Sequence, residues 1–159
     1  MGIFTLLGLL GCDPQRIKEL EEGIATEADV RAKFGEPEKI WDGMGEGEGL
    51  RVFEYNRQPA GSTNYMISIG PDGKMTALRQ VLTPQNFAKI EPGMMMEDVR
   101  IMLGKPAKIS RFALSKDTHY DWRWIEGGAR KKMFTVVFNP DMRVVSSSST
   151  DEIEPSGGP

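Results

Sequence analysis

"DVRAKFGEP" at residues 29–37 returns as "DVRIMLGKP" at residues 98–106, with Asp, Val, Arg, Gly and Pro in the same places. A phrase written twice at an offset of 69 positions is an internal repeat, and a repeat constrains a fold more than local propensity does. Every residue in it has a backbone or packing duty. Thr26 followed by Asp29 is a capping-box-like start, Val30 and Phe34 fall on one helical face, and Gly35 with Pro37 stops the helix. In the second copy Val99, Leu103, Gly104 and Pro106 repeat this grammar. Met95 stands in the place of Thr26, so the second helix loses a side-chain cap worth about 1 kcal/mol.

Beyond each helix the period changes. "KIW" at 39–41 matches "KIS" at 108–110, and Phe53 and Tyr55 match Trp122 and Trp124. Tyr65, Ile67 and Ile69 then match Phe134, Val136 and Phe138, and each of these runs is followed by Pro-Asp. Alternating bulky residues over such lengths predict half-buried strands. Pro and Asp at the inner positions of a turn predict a tight hairpin between the third and fourth strands. The fold class is therefore α+β, with two tandem units, 23–84 and 85–149, each a short helical segment on a three- or four-stranded antiparallel sheet. A lone core of about 60 residues is marginal, so the two units are expected to pack together or share a sheet.

Composition narrows the function classes. With 39% apolar and 27% charged residues and a net charge of -3, the chain reads as an ordinary globular protein. Its 20 basic and 23 acidic residues are interspersed, without the basic, aromatic-interleaved stripe of a nucleic-acid binder. The longest apolar stretch, "IFTLLGLLG" at 3–11, is about half of the roughly 20 residues that a spanning helix requires.

That stretch runs into Cys12, the only cysteine, and "LLGLLGC" resembles the lipobox of bacterial lipoproteins. The resemblance implies a signal peptide at 1–11, cleavage after Gly11, and an acylated Cys12 at the mature N-terminus. Residues 12–22 form a linker and first helix that ends at Gly23. The polar, acidic, Pro- and Gly-rich end, 150–159, is expected to be a disordered tail.

Candidate catalytic residues are few. His119 is the only histidine, and no nucleophile elbow, P-loop or His-rich metal spacing occurs. A single cysteine excludes a disulfide framework and a Cys-rich metal site. The acidic loop "DGMGEGEG" at 42–49 lacks the order and ligand number of an EF-hand and reads as a solvated connection. No carboxylate pair sits on rigid elements. The expectation is a protein without catalytic residues, metal or cofactor.

The strand around Trp122 holds the candidate working surface. Alternation sends Tyr120, Trp122 and Trp124 to one face and Arg123 to the other. Three large aromatics side by side exceed what a small core usually needs and mark a candidate aromatic face; the competing reading packs all three under the helix. On the opposite face Arg123 is expected to join Arg130, Lys131 and Lys132 across the hairpin in a basic patch. Such a patch suits a carboxylate-rich protein or anionic phospholipid headgroups.

"KIEPGMMMEDVRIMLGKP" at 89–106, followed by "HYDWRW" and "FTVVF", resembles the SmpA/OmlA family of small outer-membrane lipoproteins. Met95 replaces that family's Thr, and the tandem arrangement departs from its single-domain members. The resemblance implies a non-catalytic, lipid-anchored module on the periplasmic face of the outer membrane. Its partners would be barrel-assembly machinery or other envelope proteins, and phosphatidylglycerol. Asp13, directly after Cys12, matches an inner-membrane retention signal in enterobacterial sorting, so the inner membrane is the competing address. Tandem helix-plus-sheet units are also similar to the secreted β-lactamase inhibitor proteins, which clamp an enzyme with a concave sheet. Three readings follow: an assembly lipoprotein, an inhibitor-like or ligand-sensing envelope binding protein, and a structural lipoprotein without a specific partner.

Overall fold

The structure is a computed structural model that describes residues 13–43 and 49–153. In chain order the elements are α1 (Asp13–Lys18), α2 (Glu27–Phe34), β1 (Lys39–Asp42), β2 (Arg51–Asn56), β3 (Asn64–Ile69) and β4 (Met75–Gln80). There follow α3 (Pro84–Phe87), α4 (Met96–Leu103), β5 (Lys108–Arg111), β6 (Thr118–Glu126), β7 (Arg130–Phe138) and β8 (Val144–Asp151). The strands form two separate sheets, ordered β1-β2-β3-β4 and β5-β6-β7-β8. The α+β class, two tandem units and antiparallel sheets are as expected, with four strands in each sheet.

The repeat carries the helix starts and stops. At α2 the Thr26 hydroxyl accepts from the Asp29 N–H, and the Asp29 carboxylate accepts from the Thr26 N–H at 2.9 Å, a complete capping box. Met95 at the start of α4 offers no side-chain cap. Gly35 and Gly104 end the two helices at φ +81° and +78°. Each cap residue also bridges to the chain just after the Pro-Asp hairpin, Thr26 to Lys74 and Met95 to Arg143. Equivalent hydrogen bonds, Glu27 N–H to the Gly73 carbonyl and Met96 N–H to the Met142 carbonyl, tie each helix start to its hairpin. The repeat thus extends from sequence into main-chain pairing.

By compactness the chain divides into Met1–Phe53 with Ile67–Leu78, and Glu54–Met66 with Arg79–Pro159. In the first unit Val30 and Phe34 of α2 are buried, as are Phe53, Ile67, Ile69 and Met75. The guanidinium groups of Arg31 and Arg51 lie 5.0 and 5.4 Å from the Phe53 ring centroid, and Glu27 bonds both. A charged lid thereby lies over the ring of an aromatic core residue.

The second unit is built on β6 and β7, paired in the register Trp122↔Phe134 and Arg123↔Met133. Tyr120, Trp122 and Trp124 are buried with Phe134, Val136 and Phe138, under Val99 and Leu103 of α4 and Phe87 of α3. Phe87 stacks on Phe134 with centroids 4.0 Å apart and meets Trp124 edge-on at 5.0 Å. The indole N–H groups stay satisfied, Trp122 donating to the Gly104 carbonyl at 3.1 Å and Trp124 to the Ser149 hydroxyl at 3.0 Å. The three aromatics are buried in the core.

Some boundaries differ from the sequence reading. The first helix stops at Lys18 with no buried residue, because Ile17 and Leu20 alone give it no continuous apolar stripe. An unanticipated short helix, α3, starts at Thr83, whose hydroxyl accepts from Asn86 N–H, with Pro84 at the first helical position. Thr150 and Asp151, placed in the tail by composition, continue β8 against Met133 and Lys132, because main-chain pairing is indifferent to a polar composition.

Candidate functional site

Within the second compact unit, α3 and α4 cover the aromatic face of β6 and β7. The opposite face presents His119, Asp121, Arg123 and Ile125 from β6, and Lys131, Met133, Thr135 and Val137 from β7. Burial along β6 alternates as this requires, and Ile125 keeps 41% of its surface exposed. Along this face the chemistry changes. Phe112 packs on His119 at 4.4 Å near one end, and Thr135 hydrogen-bonds Asp121 in the middle. Arg123, Ile125 and Lys131 occupy the other end.

Arg123 is held from three directions. Strand β5 pairs only with Thr118 to Asp121, so the edge of β6 beyond Asp121 must find other hydrogen bonds. The Gln58 side chain supplies them: its amide nitrogen donates to the Arg123 carbonyl and its oxygen accepts from the Arg123 N–H, both at 2.9 Å. The guanidinium donates to the Pro59 carbonyl at 2.7 Å and pairs with Glu152 at 2.9 Å. Its Nε is buried with no hydrogen-bond partner among the described residues.

Loop residues Ala60, Gly61 and Ser62 border, together with Arg123, Ile125, Lys131 and Glu152, a cavity of about 190 Å³. A second concavity of about 280 Å³ is lined by Met133, Thr150 and Ile153, and Glu152 lines it too. The face thus carries a cationic end with accessible apolar surface beside it.

The expected basic patch is not assembled as one set. The register Glu126↔Arg130, Ile125↔Lys131, Trp124↔Lys132 puts Lys131 on the face of Arg123 and sends Arg130 and Lys132 to the aromatic side. Period-2 alternation applies to β7 as it does to β6, so three consecutive basic residues cannot share a face. Lys132 moreover lies 3.6 Å from Glu126 and 3.9 Å from Asp151, and Arg130 lies 3.8 Å from Glu126. Arg123 and Lys131 remain together, joined by residues the sequence reading did not single out: Gln58, Ile125, Met133 and Glu152. The 69-residue offset offered a signal for three of these positions, since Arg123, Ile125 and Met133 replace Glu54, Asn56 and Asn64.

Other sequence candidates stand apart. Among the described residues no group of three or more His, Cys, Asp or Glu is placed to hold a metal ion. No helix among them is long and apolar enough to cross a membrane. Cys12 and residues 44–48 of the acidic loop lie outside the described residues.

No family model matches the chain, and neither does any curated protein. The SmpA/OmlA resemblance therefore has no support from the family comparison. Among solved structures, a DUF4309 family protein (YjgB) from Bacillus subtilis is 20% identical, at a TM-score of 0.35, over 87% of this chain and 86% of that one. A "putative beta-lactamase inhibitor protein" from Streptococcus mutans is 12% identical, at a TM-score of 0.34, over 80% of this chain and 83% of that one. Likeness at these TM-scores carries no argument about function, which rests on the chain's own geometry.

Proposed function

We propose that the chain is a non-catalytic binding protein of the bacterial cell envelope, of the inhibitor-like or ligand-sensing kind. Its recognition surface is the β6–β7 face that carries Arg123, Ile125, Lys131 and Met133. One observation supports this reading: helices and aromatics are gathered on one side of the sheet, while the other side leaves a cation beside exposed apolar surface. A partner that buries Ile125 and Met133 gains about 25 cal/mol for each Å² of apolar surface removed from water. Acylation at Cys12 would hold the module at a membrane. The resemblance to the SmpA/OmlA family supplies a narrower version, in which the partner is the barrel-assembly machinery.

The test is site-specific photo-crosslinking in cells, with the crosslinker at Ile125 and, as a control, at exposed Ile24 in the first compact unit. A discrete protein adduct from position 125 alone is the expected result. Indistinguishable adducts from the two positions would remove the reading.

A further inference from the structure

The second compact unit contains a docked helix end, and the 69-residue offset gives the positions in the second copy that correspond to its cradle. The C-terminal end of α4 sits on the β2–β3 hairpin, Glu54–Met66. The guanidinium of Arg100 pairs with buried Glu54 at 2.6 Å. The Asn56 side chain accepts from Lys105 N–H at 2.9 Å, and Asn64 donates to the carbonyls of Leu103 at 2.8 Å and Lys105 at 3.0 Å. Three side chains on the outward positions of two strands therefore grip one helix end: an acid for its arginine and two amides for its terminal backbone groups.

Shifted by 69 positions, Glu54, Asn56 and Asn64 become Arg123, Ile125 and Met133. The charge is inverted and both amides are replaced by apolar side chains. Glu152 sits where the inverted charge calls for an acid, on Arg123 at 2.9 Å, from the end of the described chain.

We infer that the Arg123–Ile125–Met133 face is a docking site for a partner protein's helix end that presents a carboxylate to Arg123 and apolar side chains to Ile125 and Met133. Glu152 acts as the intramolecular stand-in that the partner displaces. This deepens the proposed function and rests on it. Charge complementarity decides the occupant. A second copy of this chain offers Arg31 and Arg100 at the corresponding helix positions, the same sign as Arg123. Inversion at position 123 thus works against head-to-tail chains of copies while admitting an acidic partner.

The probe is a helix-stapled peptide of residues 95–107 carrying Arg100→Glu and Lys105→Leu, with the native-sequence peptide as control. Binding to the full chain is followed by fluorescence anisotropy at low and physiological salt. The acidic peptide is expected to bind at least about 10-fold more tightly than the native one, with affinity falling as salt rises. Glu152→Gln should tighten it by about 2–5-fold, as loss of a partly exposed ion pair allows. Lys131→Glu and Arg123→Glu should each weaken it, and Lys131→Glu removes no contact to Pro59, so a failure of Arg123→Glu to fold leaves the test intact.

Equal binding of the two peptides overturns the inference, as does a Glu152→Gln chain that binds no better than the parent. So do Arg123-dependent binding to phosphatidylglycerol vesicles without peptide binding, and a self-association that Arg123→Glu abolishes. Partner crosslinking from Ile125 that is indifferent to these charges sinks the inference and leaves the binding-module reading standing. Loss of that crosslinking specificity removes the module reading itself.

Discussion

Glu54, only 1% exposed, is paired with Arg100 across 46 positions of sequence. It is a carboxylate in a strand that alternation alone predicts to be half solvated. Removing only the cation leaves a buried charge without its partner, which typically costs about 3–5 kcal/mol; partial exposure of Arg100 favours the lower end. Arg100→Met is therefore expected to cost about 3 kcal/mol in urea unfolding. Glu54→Gln with Arg100→Met should recover most of it, and a double variant as unstable as the single one would show that the loss lies in packing.

Gly35 and Gly104 form a matched pair. Both have backbone conformations that an L side chain rarely adopts, so Gly35→Ala should cost about 1–3 kcal/mol. At Gly35 an added Cβ meets nothing within 4 Å among the described residues, whereas at Gly104 it falls 2.6 Å from the Asn56 side-chain oxygen and 2.8 Å from the Asn64 nitrogen. Gly104→Ala should be clearly worse in the same melts. Equal losses would mean that the asparagine cradle yields freely.

Trp122 is fully buried in the aromatic cluster. Trp122→Ala should cost about 3 kcal/mol or more. Trp122→Phe fills most of the space but removes the donor to the Gly104 carbonyl, and is expected to cost about 1–3 kcal/mol. Calorimetry distinguishes the two, and near-equal melting of Trp122→Ala and the parent would contradict the assignment of this face to the core.

Much of this fold was legible because each repeat writes its caps, stops and alternation in residue types with one backbone meaning: Thr26 with Asp29, Gly35 with Pro37, Pro71 with Asp72. The aromatic side of β6 was legible for the same reason. Hidden from sequence were contacts whose partners lie far apart along the chain. Gln58 completing the edge of β6 and Glu152 pairing with Arg123 depend on three-dimensional return paths that no period encodes. The basic run is split because alternation governs β7 as it does β6, which parts Lys131 from Arg130 and Lys132.

Acid should weaken the start of α2, where two carboxyls are held in the charged form. The hydrogen bond from Arg51 and then that from Arg31 hold Glu27 below its ordinary pKa, against an opposing effect of burial. The Thr26 N–H and then its hydroxyl lower Asp29. A carboxyl depressed in the fold contributes stability above its unfolded value, near 4, and that contribution is lost as pH falls through the folded value. Urea midpoints should fall below about pH 5. Glu27→Gln should flatten that limb, and an unchanged acid slope would exclude Glu27 from it.

If Cys12 is the acylated N-terminus, each buried methylene of its chains contributes about 0.8 kcal/mol to membrane attachment. Cys12→Ala is then expected to move the protein from the membrane to the soluble fraction. An unaltered fractionation would mean that another feature holds it there.

The line between compact units runs through β2 and β3, away from the boundary of the repeat at residues 84 and 85. The second copy cut at that boundary would leave behind Gln58, which closes the edge of β6, and Asn56 and Asn64, which finish α4. The two copies align without gaps from Thr26 and Met95 onward. The later one depends for its completion on a hairpin that the sequence assigns to the earlier, so the unit of repetition in sequence is not the unit that can be cut free.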